Sequence, residues 1–301
     1  MKKGYLEKDV RFLHEYNPIK DYMSDTIGIL KYVPAGSFQR DNAPENISSI
    51  SAFRMSATNI TREVFVALTG LPDPSYEPGS LGSNAPVNCV NWYSTLVFCN
   101  RLSLFEQLTP VYIINESTNP DDWGEVPEDE RTLWNTVIAD WNANGYRLPT
   151  LNEWYWAAMG ADTDNPGEVN STGHTKLFSG FNGSNNIEDY AWMAPYNNQS
   201  IQPVGTKLPN ELGLFDMSGN GFEWCWDWST TTPGTLKGFV KDYRGDGREM
   251  HEGTVKNSDN YSAHTICSAY LNGFPDFTIT WSVGIIATCN RFGICFRVVR
   301  K

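Results

Sequence analysis

Six cysteines (Cys89, Cys99, Cys225, Cys267, Cys289 and Cys295) and four histidines (His14, His174, His251 and His264) are the side chains of this 301-residue sequence best suited to metal or redox chemistry. Their spacing restricts that chemistry. No two cysteines form a C-x2-C pair, which excludes zinc-ribbon and thioredoxin-type sites. Six in 301 residues is also too sparse for a disulfide scaffold. No two histidines stand at i, i+3 or i, i+4, the spacings that place two imidazoles on one helix face. No G-x-S-x-G phrase supplies a nucleophile elbow. Cys89 and Cys99 lie in apolar settings, Val87-Asn88-Cys89-Val90 and Val97-Phe98-Cys99, and read as buried small hydrophobes. Cys289 and Cys295 flank Asn290-Arg291-Phe292-Gly293-Ile294 and could bridge, bind a soft metal or stay inert.

The elements that must position these groups are short. Trp 11, Tyr 14 and Phe 15 accompany Gly 25 and Pro 17, a composition of many short strands, tight turns and long ordered loops. Residues 1–25 read as a loose arm or a short packed extension. Ile29–Phe38 reads as a strand, a Pro/Gly turn and a second strand start. Ile50–Met55 alternates apolar and polar, as one half-buried strand does. Thr61 fits an N-cap for a short helix stopped by Gly70 and Pro72. A second helix is predicted over Trp92–Leu102, and Thr150-Leu151-Asn152-Glu153 is a capping box that opens a third through Ala158. The acidic stretch Asn119–Arg131 reads as a solvated insertion. Residues 160–200 lack periodicity, and from Phe215 onward the chain is strand-like and aromatic. Gly219-Asn220-Gly221 makes a tight turn before the strand Phe222–Trp228, with Asp216 and Glu223 bracketing it.

Lys+Arg 23 against Asp+Glu 35 gives a net charge of −12. Wrapping a phosphate backbone takes a concentrated basic face, so nucleic acid is not an expected partner. No stretch approaches the roughly 20 apolar residues of a membrane span, so the chain is not expected to span one. Met1-Lys2-Lys3 resembles the basic opening of a signal peptide, but Gly4–Asp9 follows where an apolar core belongs.

Several phrases together resemble the formylglycine-generating enzyme/sulfatase-modifying factor domain. They are Tyr32–Phe38, Ala85–Trp92, Gly145–Thr150 with Glu153-Trp154, Pro203-Val204-Gly205 with Pro209-Asn210, Gly213–Trp224, and the closing Phe296-Arg297-Val298-Val299-Arg300. The resemblance keeps the family's order from about residue 29 to the end. It implies an α+β fold: a single C-type-lectin-like domain over residues 26–301, with short strands, few helices and much irregular structure. It also implies that Asp216 and Glu223, with carbonyls of Gly219 and Gly221, help hold a calcium ion. Two carboxylates plus carbonyl oxygens suit a hard cation. In the alternative, Asp216 caps the turn and Glu223 pairs with an arginine. No cofactor is required by either.

Oxidases of this family use two cysteines, four residues apart, to bind copper and oxidise a substrate cysteine. Here Cys267 has no partner at that spacing, and Cys289 and Cys295 are separated by five residues. The family's RGGS phrase is absent. A copper-dependent, formylglycine-generating thiol oxidase acting on protein cysteines through Cys289 and Cys295 therefore stands as the alternative to a non-catalytic protein.

The segment Asn260–Pro275 resembles the variable region of proteins diversified by retroelements, the treponemal variable proteins among them, which use the same lectin-like fold. Adenine-directed mutagenesis of AAY codons cannot yield Lys, Glu, Gln or Met. None of these four occurs between Ser258 and Ile294, where roughly five would be expected. Trp281 is the one residue outside the AAY-derived set. A buried strand would lack the same four residues, and Phe277, Ile279, Trp281 and Val283 do alternate. Against that, Leu271, Gly273, Phe274 and Asp276 surround Pro275 in a loop, where large apolar groups mark interfaces. The expectation is a ligand-binding surface within residues 255–297, formed by Tyr261, His264, Thr265, Tyr270, Leu271, Gly273, Phe274, Asp276, Phe277, Ile279, Trp281, Ile286, Phe292 and Ile294. Its ligand would be a protein, and the resemblance implies a cell-surface or secreted setting.

Overall fold

Pro34-Ala35-Gly36 turns the chain between β2 (Gly28–Val33) and β3 (Gly36–Gln39). Gly36 is required by space, since a Cβ there would collide with the Trp156 indole. This is seen in a computed structural model, which describes residues 17, 19–76, 82–128, 133–192, 201–228, 236–244, 263–267, 282–286 and 293–301. The arm residues 1–16 lie outside the described residues, whereas Tyr22–Ser24 form a strand, β1, paired antiparallel with β2. The domain thus takes in residues ahead of position 26.

The alternation over Ile50–Met55 does not make one strand. It is split between β4 (Ile47–Ile50) and β5 (Phe53–Ser56), with Ser51 and Ala52 between them. The buried positions change phase across that connection, from Ser48 and Ile50 on one strand to Phe53 and Met55 on the other, and the apolar Ala52 masks the change in the sequence.

Thr61 caps α1 (Arg62–Thr69), accepting from the Val64 N–H, and Gly70 ends it at φ 65°. Asn91 caps α2 (Trp92–Phe105), which runs three residues past the predicted end. Eleven of its 14 residues are buried, so it is a core helix rather than a surface one. Its buried Asn100 is satisfied by the Tyr112 and Thr118 carbonyls and the Tyr112 N–H, which fastens the short ribbon of β6 (Tyr112–Ile113) and β7 (Ile138–Ala139). The acidic stretch beyond is not wholly solvated. Trp123 within it is 4% exposed and packs edge-on to Trp134. The capping box is present at α3 (Leu151–Ala158), with Thr150 and Glu153 each bonding the other's backbone.

The remaining strands are β8 (Val169–Asn170), β9 (Phe222–Trp228), β10 (Val240–Lys241), β11 (Ala263–Cys267), β12 (Ser282–Ile286), β13 (Ile294–Cys295) and β14 (Val299–Arg300). Among the described residues they build three four-stranded sheets, ordered β1-β2-β5-β14, β10-β4-β3-β8 and β12-β11-β9-β13. Met55 lies opposite both Lys31 and Val299, so the first sheet joins the two ends of the chain. Two large core clusters fill the interior. One surrounds α2 and includes Trp92, Phe98, Trp224 and Phe296; the other surrounds α3 and includes Met55, Trp154 and Trp156. No helix of the described residues is long and apolar enough to cross a membrane.

Candidate functional site

The sheet that carries the predicted variable region is organised by β9 and by the turn that feeds it. Gly219, Asn220 and Gly221 have φ of 80°, 56° and 136°, and Asp216 has φ 55°. A side chain at Gly219 would strike the Trp192 carbonyl, and one at Gly221 would lie 2.6 Å from Cys295 Sγ. Both glycines are therefore demanded by space as well as by backbone angle. Asn220 pins the loop at 202, accepting from the Gln202 N–H at 2.9 Å and donating to its carbonyl at 3.1 Å. Asp216 Oδ2 accepts the Gly205 N–H at 2.8 Å. It thus ties down a second loop rather than its own turn. Asp216 Oδ1 is buried with no hydrogen-bond donor among the described residues. Burial pushes the Asp216 carboxyl up to about 6, with the Gly205 N–H and Arg297 pulling it down and Glu223 adding to the rise.

Seven residues further on, Glu223 is fully buried. Arg297 grips it two-pronged, Nε to Oε2 at 2.6 Å and Nη2 to Oε1 at 2.7 Å. Asn59 Nδ2 donates to Oε1 at 2.9 Å and Trp154 Nε1 to Oε2 at 2.7 Å. The carboxylate thus meets four donors, one for each lone pair. Arg297 also donates to the Phe215 carbonyl at 3.0 Å and the Ser56 carbonyl at 3.3 Å. The calcium set expected from Asp216, Gly219, Gly221 and Glu223 does not fit this geometry. Glu223 has no lone pair left, and a dication at its oxygens would face a guanidinium already in contact with them. Asp216 Oδ1 is the one open carboxylate oxygen of the set, and with the two glycine carbonyls it makes at most about three ligands, too few for an ion that takes roughly six to eight oxygens.

From β9 the sheet spreads in both directions. β13 runs parallel to it, Cys295 opposite Glu223, and β11 antiparallel, Cys267 opposite Glu223. β12 pairs with β11 over five residues, placing His264 opposite Ile285, Thr265 opposite Gly284 and Ala263 opposite Ile286. A register shift falls between His264 and Ile266, where β11 meets β9. Of the expected contact residues, His264, Thr265 and Ile286 therefore belong to paired strands of one sheet. Tyr261, Tyr270, Leu271, Gly273, Phe274, Asp276, Phe277, Ile279, Trp281 and Phe292 lie outside the described residues. Ile294 is corrected: it is 1% exposed and packs in the α2 core, where no ligand reaches it.

Cys89, Cys99, Cys225 and Cys295 are all buried, as the apolar settings of the first two predict. Cys295 has no exposed surface, and burial, then the Glu223 charge, pushes its thiol well above the usual range. That is the opposite of a thiolate poised to take copper. Cys289 lies outside the described residues. The site residues missed in the sequence are Asn59, Trp154 and Arg297. Arg297 carried a signal, since Phe296 and Val298-Val299 flank it and a charge in such a run needs a buried partner.

Residues 25–274 match the family described as "Sulfatase-modifying factor enzyme 1-like domain". The chain belongs to this family. It is 34% identical over 216 residues to "Chaperone protein LppX" of Paenibacillus barcinonensis, covering 66% of this chain and 71% of that one. It is 29% identical over 156 residues to the formylglycine-generating enzyme of Streptomyces coelicolor, covering 48% of this chain and 46% of the enzyme. The matched stretch thus spans under half of that enzyme. Among solved structures, Treponema denticola variable protein 1 superposes with a TM-score of 0.71 at 27% identity, over 94% of this chain and 99% of that one. The fold is accordingly α+β and C-type-lectin-like, of the formylglycine-generating-enzyme type, with three α-helices and many short strands among the described residues.

Proposed function

We propose that this chain is a non-catalytic ligand-binding protein that displays a sequence-variable surface, within residues 255–297, on a C-type-lectin-like scaffold. The observation that carries this reading is the likeness to a variable protein over nearly the whole of both chains. The lack of Lys, Glu, Gln and Met between Ser258 and Ile294 supports it independently. The ligand is a protein: a relative named as a chaperone points the same way, and Tyr, Trp, Ser and Asn on a rigid frame make adaptable paratopes. The setting is the cell surface or the exterior. Affinity comes from a few aromatic anchors, Phe274, Phe277 and Trp281.

The oxidase reading through Cys289 and Cys295 is the less favoured one, because Cys295 is a sealed thiol against Gly221. The deciding experiment is to sequence the gene's 3′ end and the DNA downstream of it. A near-copy of codons 255–297 differing chiefly at adenines is expected. Identical codons in independent isolates, with no such copy in the genome, would sink the variable-surface claim.

A further inference from the structure

We propose that the Arg297 guanidinium is the resident cation at Glu223, the one residue it shares with the expected calcium set, so that β9 is tied to its neighbours there without a metal ion. The argument rests on what surrounds the guanidinium. Both Glu223 oxygens, the Phe215 carbonyl and the Ser56 carbonyl converge on it, at 2.6–3.3 Å. These four are hard oxygen donors, the kind a divalent ion collects. They come from three separate places, the end of β5, the loop before the turn and β9 itself, and the C-terminal run supplies the cation. One cation therefore ties together segments 241 residues apart in sequence.

A guanidinium does this differently from a metal. Its fork matches a carboxylate edge-on, so Nε and Nη2 take one oxygen each. Its remaining N–H groups reach carbonyls in the same plane, and four of its five donors are used. Glu223 and Arg297 are both fully buried, so neither charge is shared with solvent. Asn59 and Trp154 complete the carboxylate. The inference is independent of what the protein binds, although it makes any binding by this sheet insensitive to calcium.

The test is thermal unfolding of the whole chain in excess EDTA and in millimolar calcium chloride. The midpoints are expected to coincide within about 1 °C. A midpoint that falls by roughly 5 °C or more in EDTA and returns with calcium overturns the proposal. Arg297→Met supplies the converse. It frees the same oxygens, so its lowered midpoint is expected to rise with calcium; a folded variant blind to calcium removes the claim that the guanidinium stands in the ion's place. Should that variant not fold, calorimetric titration of the unaltered chain with calcium decides: no saturable heat is expected, and one-site saturable heat overturns the proposal.

Discussion

Two arginine–glutamate forks, Arg147–Glu153 and Arg297–Glu223, differ in what surrounds them. Arg147 meets Glu153 through both Nη atoms at 2.7 Å each, and Arg297 meets Glu223 at 2.6 and 2.7 Å. The distances are nearly the same, although Arg147 uses both Nη atoms and Arg297 uses Nε and Nη2. The surroundings are not. The Arg147 and Glu153 side chains keep 9% and 13% of their exposure, whereas both members of the other pair keep none. Glu153 also caps its own helix, and Arg147 lies 5.1 Å from the Trp141 ring centroid, so each has a second role that survives loss of the other. Glu223 and Arg297 also have neutral partners, Asn59 and Trp154 for the carboxylate and the Phe215 and Ser56 carbonyls for the guanidinium, but neither charge has water to fall back on. A fork at the edge of the core is replaceable; a fork sealed inside it is not.

The largest expected effect follows from that contrast. Glu223→Gln keeps the shape but leaves the guanidinium buried without its counter-charge, and should cost about 3–5 kcal/mol. Urea unfolding of this variant beside Glu153→Gln compares the forks directly. A loss at Glu223 no larger than that at Glu153 would show that burial does not separate them.

Asp216 gives the next effect, and it is read through pH. Its carboxyl is raised to about 6 by burial, so the folded state holds a proton that the unfolded chain releases near its ordinary value. A folded-state value above the unfolded one contributes stability that is fully present below about 4 and lost as pH rises through 6. The size is on the order of 2–3 kcal/mol. Asp216→Asn, which retains an oxygen for the Gly205 N–H, should flatten the stability profile between about pH 4 and 6. An unchanged profile would mean that Asp216 Oδ1 has a partner in solution that keeps the carboxylate ionised.

What the sequence made legible was local. Thr61 and the Thr150–Glu153 box state their own geometry within four residues, and both caps form. The ordered phrases from Tyr32 to Arg300 point to the right family and fold because they sit at turns, helix caps and strand starts with few alternatives. Pairing across distance was not legible. An arginine for Glu223 could be anticipated, but which one lies 74 residues away, and Asn59 lies 164 away. The break in Ile50–Met55 was hidden because alternation says nothing about where a ladder ends. The charges of Asn119–Arg131 point the whole stretch toward solvent, yet the single indole of Trp123 is buried beneath them. Ile294 looked like a contact residue because the depletion of charged side chains is the same in a core strand and in a diversified surface.

The smallest effect sharpens the comparison most. Glu153→Gln retains the shape and, since glutamine serves at the third helical position, the capping box. It removes only the charge opposite Arg147. That guanidinium still has the Leu148 carbonyl at 3.1 Å, the Trp141 face and some exposure to water. The expected cost is about 1 kcal/mol, within the range of a partly exposed ion pair. Glu153→Ala should add about 1 kcal/mol more by deleting the cap. If Glu153→Gln instead costs as much as Glu223→Gln, the residual exposure of this pair is not what relieves it, and the cation–π contact with Trp141 becomes the next suspect. Trp141→Leu in the Glu153→Gln background then measures how much of the orphaned charge the ring had been carrying.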